Sequence, residues 1–313
     1  MDYVLSTNQL TKEFRRQKAV DSVNIHVPKG AIYGFIGRNG AGKTTFLKMI
    51  SGLSTPTSGD FSLFGYEGKD VCRVFSRIGT LIEAPGVYPN MTAFDNMKLK
   101  CIATGINQKG YIEEILENVG LKDTGKKKVK NFSLGMKQRL GIALALVGEP
   151  DLLVLDEPIN GLDPQGIVEI RDIIQKLNDE KNMTIIISSH ILEELSKIAT
   201  HYGIINNGSL VEELTREQLF EKCGEHIEVI TENAKNACIV IEQMGILNYK
   251  VMDKNTIHIF ERLGDSGEIA AALAKEKVKF SGISVKNESL EDYFLSVTNV
   301  TSGTNSNGGG KNA

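Results

Sequence analysis

Eight consecutive residues carry the most readable chemistry in this chain: Gly37-Arg38-Asn39-Gly40-Ala41-Gly42-Lys43-Thr44 fits the phosphate-loop pattern G-x-x-x-x-G-K-[ST]. Glycines there let the backbone curl until its N–H groups face an oxyanion. Lys43 adds a point charge suited to the β- and γ-phosphates of a nucleoside triphosphate, and the Thr44 hydroxyl is a hard oxygen ligand for Mg²⁺. Thr45 continues into a helix whose positive end aims at the same anion.

A second group is acidic. Asp156 and Glu157 follow the apolar run Leu152-Leu153-Val154-Leu155. One carboxylate can hold Mg²⁺ through its water shell, while its neighbour, pointing elsewhere, orients or deprotonates an attacking water. Such a pair at a strand end is often only a solvated loop; the nearby phosphate loop gives this one a task. Two further residues have equally plain structural readings. Ser133 precedes a helical pattern with Met136, Leu140, Ala143 and Val147 on one face, as an N-cap would. His190, after Ser188-Ser189, is as much a cap neighbour as a ligand.

These groups need a scaffold, and the N-terminal two-thirds supplies one by alternating short apolar strands with amphipathic helices, an α/β pattern with a parallel sheet. Ala31 to Ile36 reads as a strand and Lys43 to Ile50 as a helix. The run ending at Asp156 reads as a strand buried on both faces. Asp163-Pro164 is an N-cap with an N1 proline, opening a helix with Ile167, Ile170, Ile174 and Leu177 on one face. Thr184 to Ile187 is a further strand. A helical insert, about residues 90–148, interrupts the pattern, its first helix starting near Thr92. Residues 1–213 thus form one domain, and 214–300 a small α+β domain. The latter opens with a helix, Thr215 to Cys223, that Thr215 and Gln218 would box. Its order is then strand, helix, strand, strand, helix, strand, as in ferredoxin-like folds, with a last helix from Leu290 to Val297. Residues 301–313, almost without apolar side chains, read as a disordered tail.

Taken in order, Gly37 to Thr44, Phe132-Ser133-Leu134-Gly135-Met136, Leu152 to Pro158, Gly161-Leu162-Asp163 and His190 resemble an ABC-type ATPase over roughly residues 4 to 212. The resemblance implies ATP and Mg²⁺ as ligands, with Phe14 stacking on adenine and Val20 close by. It places His190 at the γ-phosphate and Asp163 against an opposite subunit. It also implies a head-to-tail pair in which Ser133 and Gly135 of one copy reach the γ-phosphate held by the other, which suits a helix end with open N–H groups.

Two positions depart from the commonest family pattern. Leu134 and Met136 alter the usual Leu-Ser-Gly-Gly-Gln, and Glu83 stands where glutamine is usual. An ionised glutamate can bind Mg²⁺ or water but cannot donate as an amide does. Both departures resemble the ATPases of bacitracin-resistance and lantibiotic self-protection exporters, as do Gly86 to Asn90 and the terminal Ser289 to Phe294. That branch implies a separate integral-membrane permease, a peptide-antibiotic cargo and a place on the cytoplasmic face of the membrane.

Composition is consistent. The 313 residues, 41% hydrophobic and 24% charged, suit about two soluble domains. A net charge of −3 offers nothing global to nucleic acid. No run approaches the roughly 18 apolar residues of a membrane span, and no signal peptide is evident. Lys126-Lys127-Lys128 and Lys130 read as a solvated loop, and the four cysteines as reduced thiols. Other readings remain open: an ABC exporter of another drug, lipid or ion, a non-transport ABC ATPase on ribosomes or DNA, and a nucleotide-binding regulator. A single phosphate loop, the lack of a long heptad run between Lys43 and Ser133, and the intact Lys43, Asp156 and Glu157 count against the last two.

Overall fold

The computed structural model describes residues 2–15, 17–223, 225–287 and 290–300. Ser289 and the expected tail lie outside them. The chain divides into two compact units, the first ending at Arg216 and the second running Glu217–Val300.

The first unit opens with β1 (Tyr3–Phe14), β2 (Gln17–Val23) and β3 (His26–Pro28). Next come β4 (Ile32–Ile36), α1 (Lys43–Ile50), β5 (Ser58–Leu63) and β6 (Ile78–Leu81). The helical insert follows, with α2 (Ala93–Thr104), α3 (Tyr111–Asn118) and α4 (Leu134–Ala145). β7 (Leu152–Asp156), α5 (Pro164–Lys181), β8 (Thr184–Ser189), α6 (Leu192–Ser196), β9 (His201–Asn206) and β10 (Ser209–Thr215) complete the unit.

Two sheets result. The site-bearing sheet has the order β10-β9-β4-β8-β7-β6, parallel throughout except for the antiparallel edge strand β10. β4, β7 and β8 are buried along their whole length, as strands covered on both faces must be. The other sheet is antiparallel, with β1 pairing β2, β3 and β5, and the alternating-element pattern of the sequence does not foretell it. Helix α1 joins both in one core: Phe46, Leu47, Met49 and Ile50 pack with Leu10 and Val20 of the antiparallel sheet and Val154 and Ile186 of the parallel one. Phe35 and Phe46 meet with ring centroids 4.8 Å apart. Helix α1 is therefore clamped, and the loop before it is held from both ends.

Local signals set the helix starts. The Thr92 side chain accepts from Asp95 N–H and Asp95 answers it, a complete capping box. Ser133 caps α4 by accepting from Met136 N–H, and Asp163 caps α5 by accepting from Gly166 N–H, with Pro164 at the first helical position. Val147 lies beyond the end of α4 and is buried all the same. In the core shared with α1, the buried Tyr33 hydroxyl donates to Glu213 of the edge strand β10 at 2.7 Å. Burial first, then the Glu213 charge, push that phenol well above its usual range, so it stays a donor.

Helix α7 (Arg216–Cys223) follows directly after Thr215, which is the last residue of β10 and pairs with His201, so the helix starts one residue past the expected Thr215. The second unit holds β11 (Glu225–Thr231), α8 (Ala234–Gln243), β12 (Tyr249–Val251), β13 (Thr256–Ile259), α9 (Ser266–Lys275), β14 (Phe280–Asn287) and α10 (Leu290–Val300). Its sheet order β12-β13-β11-β14 is antiparallel throughout, the ferredoxin-like arrangement. Ile227, Val229, Ile241, Ile257, Ile269 and Leu273 form a core of its own. All four cysteines are free thiols. Among the described residues no helix is long and apolar enough to cross a membrane.

Candidate functional site

The loop from Gly37 to Gly42 leaves β4 at its C-terminal end and enters α1. Gly37 N–H is anchored on Ser189 O at 3.2 Å, which ties the loop to β8. Gly42 has φ +107°, and a Cβ there would lie 2.3 Å from the Ala19 carbonyl oxygen, so only glycine fits. The same corner is closed by Gly208, whose N–H donates to Ala41 O while its carbonyl accepts from Asp21 N–H. Gly42 caps α1 without a side-chain hydrogen bond, so the helix's first amides keep their capacity for an anion. Arg38, Asn39 and Gly40 form an exposed lip, while Thr44 and Thr45 are half-buried.

Charged groups converge beside this loop. The Lys43 ammonium is buried and donates to Gly37 O at 2.6 Å and Arg38 O at 3.3 Å. It also lies 3.0 Å from Glu157 Oε1. The approach is off the hydrogen-bond axis, and that buried oxygen has no hydrogen-bond donor, so the pair is held by charge alone. The other oxygen, Glu157 Oε2, is 2.8 Å from His190 Nδ1. Asp156 is buried and turned the other way, accepting from the Thr44 hydroxyl at 2.7 Å and the Ser188 hydroxyl at 2.5 Å. Adjacent residues on a strand point to opposite sides. Here Glu157 adds a turn to φ +49° just past the strand, and that lets two neighbouring carboxylates serve different partners.

Other residues singled out in the sequence fall around this centre. Ser133, Gly135 and Asp163 line one shallow groove with Gly161 and Leu162, and no phosphate-loop residue lines it. Phe14 is an exposed ring at the end of β1, with the Lys12 ammonium 5.1 Å from its centroid. Val20 is fully buried in the core, so it backs the wall and presents no surface to a base. Glu83 is 64% exposed, and its partner is Lys48 at 2.5 Å, one helical turn beyond Thr44, rather than Thr44 or Asp156. Sequence reasoning passed over Ser188, Ala19 and Gly208. Two successive serines closing an apolar strand were the available signal for the first; the other two act through their backbones. A cavity of about 450 Å³ against Arg77, Asp151 and Thr184 lies where β6, β7 and β8 begin, at the opposite end of the strands from this chemistry.

The sequence matches the ABC transporter family over residues 20–160. The bacitracin transport ATP-binding protein BcrA of Bacillus licheniformis is 44% identical over 94% of this chain and 97% of its own length. The chain belongs to the ABC transporter ATP-binding proteins. As an ABC ATPase it binds and hydrolyses ATP. The lantibiotic transport ATP-binding protein SrtF of Streptococcus pyogenes is 43% identical over 99% of its own length but only 70% of this chain. BcrA therefore shares more of this ABC ATPase than SrtF has residues to match. MJ0796, an ATP-binding cassette solved as a dimer in a post-hydrolysis state with ADP and Pi, superposes with a TM-score of 0.62. It is 23% identical and covers 68% of this chain and 98% of its own, a likeness of fold.

Proposed function

We propose that this ABC ATPase works as a head-to-tail pair, closes on Mg·ATP, and drives a separate permease that expels a peptide antibiotic of the bacitracin or lantibiotic type. The observation that carries the chemistry is Glu157, set between Lys43 and His190 with one buried oxygen lacking a donor. Such an oxygen is suited to accept a hydrogen bond, then a proton, from water. His190 holds the other oxygen in place and faces the γ-phosphate. Lys43 exchanges its off-axis contact with Glu157 for the β- and γ-phosphates, and the Gly37 to Thr45 amides cradle them. Phe14 stacks on adenine.

Thr44 and Asp156 supply hard oxygens side by side, a donor set that fits magnesium. When bound, the ion supplies charge neutralisation at the β- and γ-phosphates. Ser133, Gly135 and Asp163 of the second copy complete the site, in keeping with their place in a groove apart from the phosphate loop. Residues up to Arg216, just past the boundary at 213 that the sequence suggests, form the ATPase domain, and Glu217–Val300 an accessory one.

For the permease we assign the groove of about 430 Å³ lined by Leu53, Ile82, Ala84, Pro85, Tyr88 and Leu99. Leu53 and Tyr88 are 62% and 59% exposed, large apolar side chains open to a partner in a groove that also carries Thr80, Asn96 and Lys100. Ile82, Ala84 and Pro85 flank Glu83, so an occupant that moves them moves the Glu83–Lys48 contact and, through α1, the phosphate loop. The enzyme then works on the cytoplasmic face of the membrane, attached through its permease. Glu83→Ala is expected to leave folding intact, since an exposed pair contributes at most about 1 kcal/mol. It should weaken coupling, with lower permease-stimulated ATPase activity and lower survival of cells challenged with bacitracin or a lantibiotic. If both readouts match wild type, Glu83 has no role in coupling, and if deleting the whole gene leaves peptide sensitivity unchanged, the cargo is wrong.

A further inference from the structure

Strand β8 ends Ile185-Ile186-Ile187-Ser188-Ser189, and both serines are completely buried. A buried hydroxyl must find partners. Ser189 Oγ accepts from Ile191 N–H at 2.9 Å and so serves the next turn. Ser188 has different partners. It stands opposite Asp156 in the parallel ladder between β7 and β8. Its Oγ accepts from Glu157 N–H at 2.9 Å, and its carbonyl shares the same N–H at 3.2 Å. Its only hydroxyl proton goes to Asp156 Oδ1 at 2.5 Å. The Thr44 hydroxyl holds Asp156 Oδ2 at 2.7 Å from the opposite side.

One side chain therefore does two things. It fixes the plane of the Asp156 carboxylate together with Thr44. It also holds the Glu157 amide, and with it a backbone turn at φ +49° that a glutamate seldom adopts unless its surroundings enforce it. We propose that Ser188 is a positioning residue for ATP hydrolysis, setting the Asp156 carboxylate for the divalent cation and the Glu157 carboxylate for water through a single hydroxyl. This rests on the roles given above to Asp156 and Glu157.

The test uses the full chain and the variants Ser188→Ala, Ser188→Thr and Asp156→Asn. Binding of a fluorescent ATP analogue is titrated with Mg²⁺, alongside kcat and KM for ATP and the melting temperature. Ser188→Ala should bind nucleotide without metal as wild type does, yet need about 10-fold more Mg²⁺ for its metal-dependent gain in affinity, the usual scale for outer-shell partners of a metal site. Its kcat should fall about 10- to 100-fold with KM changed less than about threefold. Ser188→Thr, which keeps the hydroxyl, should recover most of both. An unchanged Mg²⁺ requirement in a folded Ser188→Ala overturns the proposal. So does an equal loss of metal-free binding, the mark of a merely structural role. Should Ser188→Ala not fold, the threonine variant decides: wild-type folding without wild-type Mg²⁺ dependence refutes the hydroxyl's role, and recovery of both supports it. If Asp156→Asn leaves the Mg²⁺ dependence intact, the reading of Asp156 itself fails. If only Asp156→Asn shifts it, Ser188 alone is wrongly placed.

Discussion

Glu157→Gln is expected to keep ATP binding while lowering turnover at least about 100-fold, the scale for loss of a general base. The amide matches the carboxylate in size and can occupy the same place between Lys43 and His190, so β7 and the phosphate loop stay as they are. Its charge is gone, and with it the capacity to take a proton from water. The off-axis attraction that holds Lys43 at 3.0 Å goes too, so the ammonium is freer to meet phosphate, and affinity for ATP should hold or rise. With hydrolysis slowed, the ATP-bound pair should accumulate and elute as a dimer on size-exclusion chromatography, whereas wild type returns to single subunits. Near-normal hydrolysis in this variant would remove Glu157 from the mechanism.

The second large effect comes from one methyl group. Gly42→Ala places a Cβ 2.3 Å from the Ala19 carbonyl oxygen, at φ +107°. The obstacle is backbone, at a register shift of the β1–β2 pairing but flanked by Lys18 and Val20, which pair with Glu13 and Lys12, so it cannot swing aside as a side chain would. Clash and left-handed strain together cost about 3 kcal/mol. If the loop opens to relieve them, ATP affinity falls about 100-fold. Titration calorimetry reads that loss directly. Gly105→Ala is the control: it too has a left-handed backbone, φ +73°, but nothing within 4 Å of the added carbon. It should cost about 1 kcal/mol of stability and leave ATP binding alone. Equal binding by both variants would show that the Ala19 contact does not shape the site.

Helix α1 spans Lys43–Ile50 as its amphipathic pattern says, and α5 starts at Asp163-Pro164, because capping and periodicity are written within a few neighbouring residues. The helix–strand order of the second unit follows for the same reason, and its strands pair in the ferredoxin-like order that this succession suggests. The antiparallel sheet was invisible since β1 meets β5 across some forty intervening residues and through bulged registers, with polar residues such as Thr7, Asn8 and Thr11 on its paired strands. Ser188 and Asp156 are 32 positions apart, Lys48 and Glu83 are 35, and Gly42 meets a carbonyl that no side-chain type announces. Contacts of this kind are decided when layers stack, after every local signal has been read.

The cap of α4 sets unequal demands on one residue. Ser133 Oγ accepts from Met136 N–H, which leaves its own hydrogen available to a second copy. Making the helix thus requires only an oxygen at that position, whereas the proposed pairing of two chains around a triphosphate would require a hydrogen there and no negative charge. An aspartate would cap α4 as well as serine does. Variants screened for thermal stability alone could therefore keep a sound monomer and drift, unnoticed, into one that never finds its twin.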